Sequence, residues 1–146
     1  MAIPPSGRVL ALDWGSVRFG VAVSDETQLL ASPVVTLTRR PGRRFPMPAF
    51  LRLCQELRPA GLVIGLPLTP EGSRGEPAEE ALKLARHLGK RTGLPVEAQD
   101  ERHSTARVLG IDRELGGSGH ARHDLDARAA AVLLQQWLDT RRGGSA

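Results

Sequence analysis

Two apolar, strand-like runs meet at a short turn in "LALDWGSVRFGVAVSD", Leu10 to Asp25, and this stretch constrains the fold more than any other. Residues 8–14 and 17–24 read as strands. Gly15 and Ser16 between them suit a tight turn, because glycine enters positive φ without steric cost and serine hydrogen-bonds locally. The chain must therefore open with an antiparallel hairpin. The turn does not require Asp13, which closes the first run. An aspartate there is either a paired structural group or part of a site.

Beyond the hairpin, β-branched residues over 29–38 predict a third strand. "RRPGRRFPMP", residues 39–48, is broken by prolines and carries four arginines, so it reads as a loop. Phe50, Leu53, Cys54 and Leu57 recur at helical spacing, which predicts a helix over 49–58 with Cys54 as a small core group. "GLVIGL", residues 61–66, is a continuous apolar run suited to a strand buried on both faces. The turn-rich "TPEGSRGEP" follows, then a helix over 78–92 and a strand over 95–99. Ser104 or Thr105 caps a helix running to about Leu115. "GGSGHARH" reads as a loop, and residues 124–141 form the last helix. Strands first adjacent and then alternating with helices predict an α/β mixed sheet of five strands, the first three antiparallel and the rest parallel, flanked by helices.

At 146 residues the chain suits one domain, 1–146, with flexible ends over 1–7 and 141–146. No apolar run approaches the ~20 residues of a membrane helix, so no membrane partner is expected. A single cysteine cannot form an internal disulfide, which points to a reducing cytoplasmic setting. Twenty basic residues face sixteen acidic ones, and all but Lys83 and Lys90 are arginine. Arginine forks match phosphate oxygens bidentately, which favours a nucleic-acid partner; a genomic preference for arginine explains the same count. With aromatics at 3% and no tyrosine, stacking in the manner of an RNA-recognition domain is not expected.

Four acidic positions stand out: Asp13, Asp100, Glu101 and Asp126. Sites in parallel α/β sheets form beyond the strand ends. Carboxylates converging there repel unless a cation neutralises them. Oxygen-only clusters select magnesium or manganese, and two such ions ~3.5–4 Å apart make a phosphodiester-cleaving site. No local motif ties the positions together by spacing alone. Asp126 shares a helix face with Ala129, Ala130, Leu133, Leu134 and Trp137, whereas Asp124 falls on a more polar face and is expected to cap the helix.

Four blocks carry a specific resemblance. "LALDWGSVRFGVAVSD", "VIGLPLTPEGSRG", "DERHSTA" and "DLDARAAAVLLQQWLD", in this order, resemble the motifs of the YqgF/RuvX family of RNase H-like nucleases. The resemblance implies an RNase H-like fold and a hydrolase that matures the precursor of small-subunit (16S) ribosomal RNA at its 5′ end, alone or in a pre-ribosomal particle. It also implies a historical link to Holliday junction resolvases, which cleave branched DNA. Asp13, Glu101 and Asp126 match the family's acidic site and would hold Mg2+ or Mn2+, two ions together. Arg18, Arg74, Arg102, Ser104 and Thr105 are the nucleic-acid-binding candidates. The chain departs from the family at Val17 and His103, and in "HARHD", where the family is lysine-rich.

Plainer readings stand beside these. Arg18 either grips a phosphate or pairs with Asp13 or Asp25. The 71–75 loop, with Arg74, offers N–H groups to an anion or is simply a strand-to-helix turn. His87, His103, His120 and His123 lack zinc-ligand spacing. Strict alternation from Val96 and Ala98 puts Asp100 rather than Glu101 on the apolar side of its strand; the motif selects Glu101, with Asp100 as the fallback. A non-catalytic RNA-binding factor on the same fold is the alternative of a different class. The oligomeric state is open.

Overall fold

The computed structural model describes residues 2–15, 17–40, 42–67, 75–100 and 119–143. Strands β1 (Val9–Asp13), β2 (Arg18–Ser24) and β3 (Ala31–Thr38) come first, followed by α1 (Met47–Leu57), β4 (Gly61–Leu66), α2 (Glu76–Thr92), β5 (Val96–Asp100) and α3 (Gly119–Gly143). The sheet order is β3-β2-β1-β4-β5. β1 and β2 pair antiparallel, as do β2 and β3, while β4 and β5 add in parallel. This is the expected mixed sheet. Pro33 lacks an N–H and is tolerated because β3 is an edge strand, and the β2–β3 register shifts beside it, between Val21 and Ala22.

The two faces of the sheet are buried by different partners. Leu10, Leu12, Phe19, Val21, Leu62 and Ile64 point towards Phe50 of α1 and Leu88 of α2. Val9, Ala11, Ala22 and Val63 point the other way, towards Ala130, Leu134, Trp137 and Leu138 of α3. Period-two alternation along β1 thus assigns Leu10 and Leu12 to one layer and Val9 and Ala11 to the other. All five residues of β1 and all six of β4 are buried, as a strand covered on both sides requires. Each fully buried leucine contributes about 1.5–3 kcal/mol. The helix face expected for Asp126 is borne out, since Ala129, Ala130, Leu133, Leu134 and Trp137 are all buried.

Two expectations need correction. The last helix begins at Gly119, not 124, so Asp124 lies inside it and is not its cap. Histidine, alanine and arginine at 120–123 are ordinary helix formers, and extending an existing helix adds a hydrogen bond per residue fixed. α2 likewise begins earlier, at Glu76, because Pro77 sits in its first turn, where no N–H is needed. Described residues near both ends make contacts across the fold. Ile3 is buried, Gln28 Nε2 donates to the Pro4 and Gly7 carbonyls, and Arg141 donates to the Ile3 carbonyl while lying 4.8 Å over the Trp137 ring. The helix expected from Ser104 or Thr105 lies outside the described residues.

The β2–β3 connection is fixed by Asp25. Its Oδ1 accepts from the Leu30 and Leu29 N–H groups at 3.0 and 2.9 Å, and its Oδ2 accepts from the Thr27 hydroxyl. The Leu30 N–H, then Thr27 and Leu29, pull the carboxyl from the ordinary 3.8 down to about 2. A depressed carboxyl means that the folded state binds fewer protons, so this contribution is present above about pH 4 and disappears as pH falls through 2. An NMR titration of the Asp25 carboxyl should therefore give a midpoint near 2. A midpoint near 4 would show that the loop does not hold the charge.

Candidate functional site

β1 delivers Asp13 to the carboxyl end of the sheet. Two residues beyond Ala11 and four beyond Val9, it points to the α3 face, and it is only 8% exposed. Its neighbours across the sheet are Gly20 on β2 and Gly65 on β4. Both strands therefore present glycine beside the carboxylate, and neither sends a side chain across it.

Gly20 has a second task. A Cβ built there would lie 1.8 Å from the Asp126 carbonyl oxygen and 2.4 Å from its carbon. The backbone of α3 thus rests directly on β2 at the position facing Asp13. Residues opposite one another in an antiparallel pair are ~4.5–5.5 Å apart, so the Asp126 backbone is held close to Asp13. Sequence reading missed the glycines. The signal was present, since a glycine inside a strand marks close backbone approach.

The third element is Arg18, the first residue of β2. Its Nε stands 2.8 Å from Asp126 Oδ2, with side-chain exposures of 35% and 21%. The carboxylate reading of Arg18 was right in kind, but its partner is neither Asp13 nor Asp25. Asp25 is committed to its own loop, and α3 brings Asp126 closer. A pair this open to solvent adds at most about 1 kcal/mol of stability. Its effect is to fix the direction of the Asp126 carboxylate.

β5 runs beside β4 with Asp100 opposite Leu66 and Val96 opposite Leu62. Val96 packs with the α1/α2 layer, so Asp100, four residues on, shares that face and points away from Asp13. Gln99 points the other way, its Nε2 donating to the Leu133 carbonyl of α3 at 3.4 Å. Glu101, Arg102, Ser104 and Thr105 lie outside the described residues, as does Arg74. Among the described residues, no three histidine, cysteine or acidic side chains gather as a metal-binding group. Cys54 is an ordinary core thiol, pushed up to about 11 by burial.

The sheet order, the helix across one face and the acidic pair at the end of the central strand define an RNase H-like architecture. Thermus thermophilus RuvC, solved with a Holliday junction substrate, superposes with a TM-score of 0.57 at 18% identity, covering 95% of this chain and 97% of that one. The family model described as "RuvX: Holliday junction resolvase" matches residues 7–140, and the chain belongs to that family. It is accordingly a hydrolase of the nuclease class. A Chloroflexus aurantiacus relative named "Putative pre-16S rRNA nuclease" is 38% identical over 135 residues, 92% of this chain and 88% of its own. One from an Anaeromyxobacter species, with the same name, is 39% identical over 92% of this chain and 98% of its own.

Proposed function

We propose that the protein hydrolyses phosphodiester bonds of the 16S ribosomal RNA precursor, at its 5′ end, using divalent cations held by Asp13, Glu101 and Asp126. The observation that carries this reading is the buried Asp13 carboxylate, flanked by Gly20 and Gly65, with Asp126 seated over Gly20. A hard, oxygen-only donor set of this kind fits magnesium or manganese. Glu101 is preferred to Asp100 as the third carboxylate because the motif block "DERHSTA" selects it and because Asp100 shares the face of Val96, away from Asp13. Relatives sharing over a third of the sequence are named for the 16S precursor, which supports the substrate.

The chain's own groups account for positioning. Asp13 is held by the central strand, buried on both faces, which fixes the position of its backbone. Asp126 is aimed by Arg18, and the same guanidinium is a donor fork within reach of a phosphate oxygen next to the acidic pair. A divalent cation bound to these carboxylates supplies charge neutralisation and a nucleophilic water at neutral pH. Arg74, Arg102, Ser104 and Thr105 remain proposed contacts to the nucleic-acid backbone. No helix among the described residues is long and apolar enough to cross a membrane, and we assign a cytoplasmic setting from the single cysteine, which cannot form an internal disulfide.

A second reading, cleavage of branched DNA, is favoured by the RuvC likeness in fold. It requires two copies to cut two strands symmetrically. The test offers the purified chain 16S precursor RNA, unstructured RNA and a four-way DNA junction, each with manganese, magnesium or EDTA. We expect cleavage of the precursor with either metal and none in EDTA. Cleavage of the junction alone would transfer the assignment to branched DNA. Tight RNA binding without any cleavage would make the protein a non-catalytic factor.

A further inference from the structure

On the opposite face of the sheet, at the same end of β1, lies a cavity of about 760 Å³. Trp14, the residue after Asp13, lines it together with Phe45 and Met47. Arg39, Arg44, Lys83 and Arg91 bring four positive charges to the lining against one carboxylate, Glu80, with His87 between the turns of α2. The volume lies within the ~300–1,000 Å³ typical of small-ligand sites.

The aromatic lining is concentrated beyond what composition suggests. Of five aromatic residues in the chain, four form a continuous ladder. Trp14 meets Phe19 edge to face at 6.2 Å, Phe19 meets Phe45 at 4.9 Å, and Phe45 meets Phe50 at 5.8 Å. Phe19 and Phe50 are fully buried and belong to the core, whereas Trp14 and Phe45 are only half-buried. Those two rings therefore present surface to the cavity. Arg39 lies over the Phe19 ring at 5.9 Å, which keeps a guanidinium beside the aromatic wall. Among the described residues, Arg44, Lys83 and Arg91 form no ion pair.

A purely acidic ligand would need the cations but not the rings, and an apolar one the rings but not the cations. A nucleotide uses both, its base stacking on an aromatic face and its phosphate resting on the basic rim. We propose that this cavity binds one nucleotide of a single-stranded RNA segment, its base against Trp14 and Phe45 and its phosphate on Arg44, Lys83 and Arg91. This rests on the reading of the chain as an RNA nuclease, and adds a grip on unpaired RNA across the sheet from the acidic pair, at the same end of β1. Trp14 directly follows Asp13, so a strand held here is anchored one residue from the aspartate proposed to hold the metal.

The test uses the full chain carrying Trp137→Phe, which leaves Trp14 as the only tryptophan, in EDTA so that no cleavage intervenes. Titration with an eight-residue oligoadenylate should quench Trp14 fluorescence saturably. An abasic strand of equal phosphate number should bind about ten-fold more weakly, the scale of one stacked base. Phe45→Leu should weaken the oligoadenylate about ten-fold and leave the abasic strand unchanged. If Trp137→Phe folds poorly, fluorotryptophan labelling of the unsubstituted chain resolves both indoles by NMR and reads the same event. Equal affinity for the abasic strand, or binding without any change at Trp14, would overturn the proposal. AMP binding as tightly as the octamer would make the occupant a free nucleotide and overturn the strand assignment. Normal quenching in a chain that cleaves nothing would refute the nuclease reading and keep the cavity; cleavage without quenching would do the reverse.

Discussion

Asp13→Asn should lower metal-dependent cleavage at least about 100-fold and leave the protein folded. Even partners one shell out from a metal typically cost ~10–100-fold when mutated, and Asp13 is proposed as a direct ligand. Asparagine keeps the shape and loses the charge. Keeping a charge at a position only 8% exposed is expensive, so stability should be equal or slightly raised. The same variant offers a readout independent of turnover. Manganese that binds only the folded wild type raises its melting temperature by mass action, and Asp13→Asn should lose that rise. A variant that unfolds outright would show that Asp13 serves structure. Undiminished cleavage would remove it from the site. Asp126→Asn is the less clean probe, because it also breaks the pair with Arg18.

How much of this could be read from the chain depends on the range of the physics involved. Period-two alternation in "LALD" and "FGVAV" is local, so the hairpin, the buried "GLVIGL" strand and the mixed sheet were legible, with boundaries within a residue or two. The stripe through Ala130, Leu134 and Trp137 is local as well, and it oriented Asp126 correctly. The start of α3 was not legible, because the glycines in "GGSGHARH" are turn formers by propensity and their place is decided by the helix that follows. The partner of Arg18 was a tertiary matter. Three aspartates compete for it, and only the docking of α3 on β2 selects Asp126. Spacing gave no reason to join Asp13 to Asp126; the motif blocks did so, and Gly20 supplies the physical cause. Aromatic scarcity misled in a similar way, since a count of five says nothing about four of them touching.

Gly20→Ala should be among the most damaging single-methyl additions in the protein. The added carbon would sit 1.8 Å from the Asp126 carbonyl oxygen and 3.1 Å from the Ala127 nitrogen. Those are backbone atoms inside a helix, so no rotamer change relieves the overlap, and α3 must lift from β2. Overpacking a core typically costs ~1–3 kcal/mol, and a clash with helix backbone belongs at or above the top of that range. The displacement should also part Asp126 from Asp13, so cleavage should fall together with stability even at temperatures where the variant remains folded. Gly61→Ala is the matched comparison on β4. Its added methyl meets Ile3 Cγ1 at 2.6 Å and Cγ2 at 2.8 Å, the outer atoms of a side chain near the chain's start. Pairing it with Ile3→Ala should recover much of the lost stability, whereas no trimming of a neighbouring side chain should rescue Gly20→Ala. Thermal melts and cleavage rates of the three variants decide the matter. A Gly20→Ala protein with wild-type melting and wild-type cleavage would mean that α3 does not seat on β2 as described, and the joining of the two aspartates into one site would fall with it.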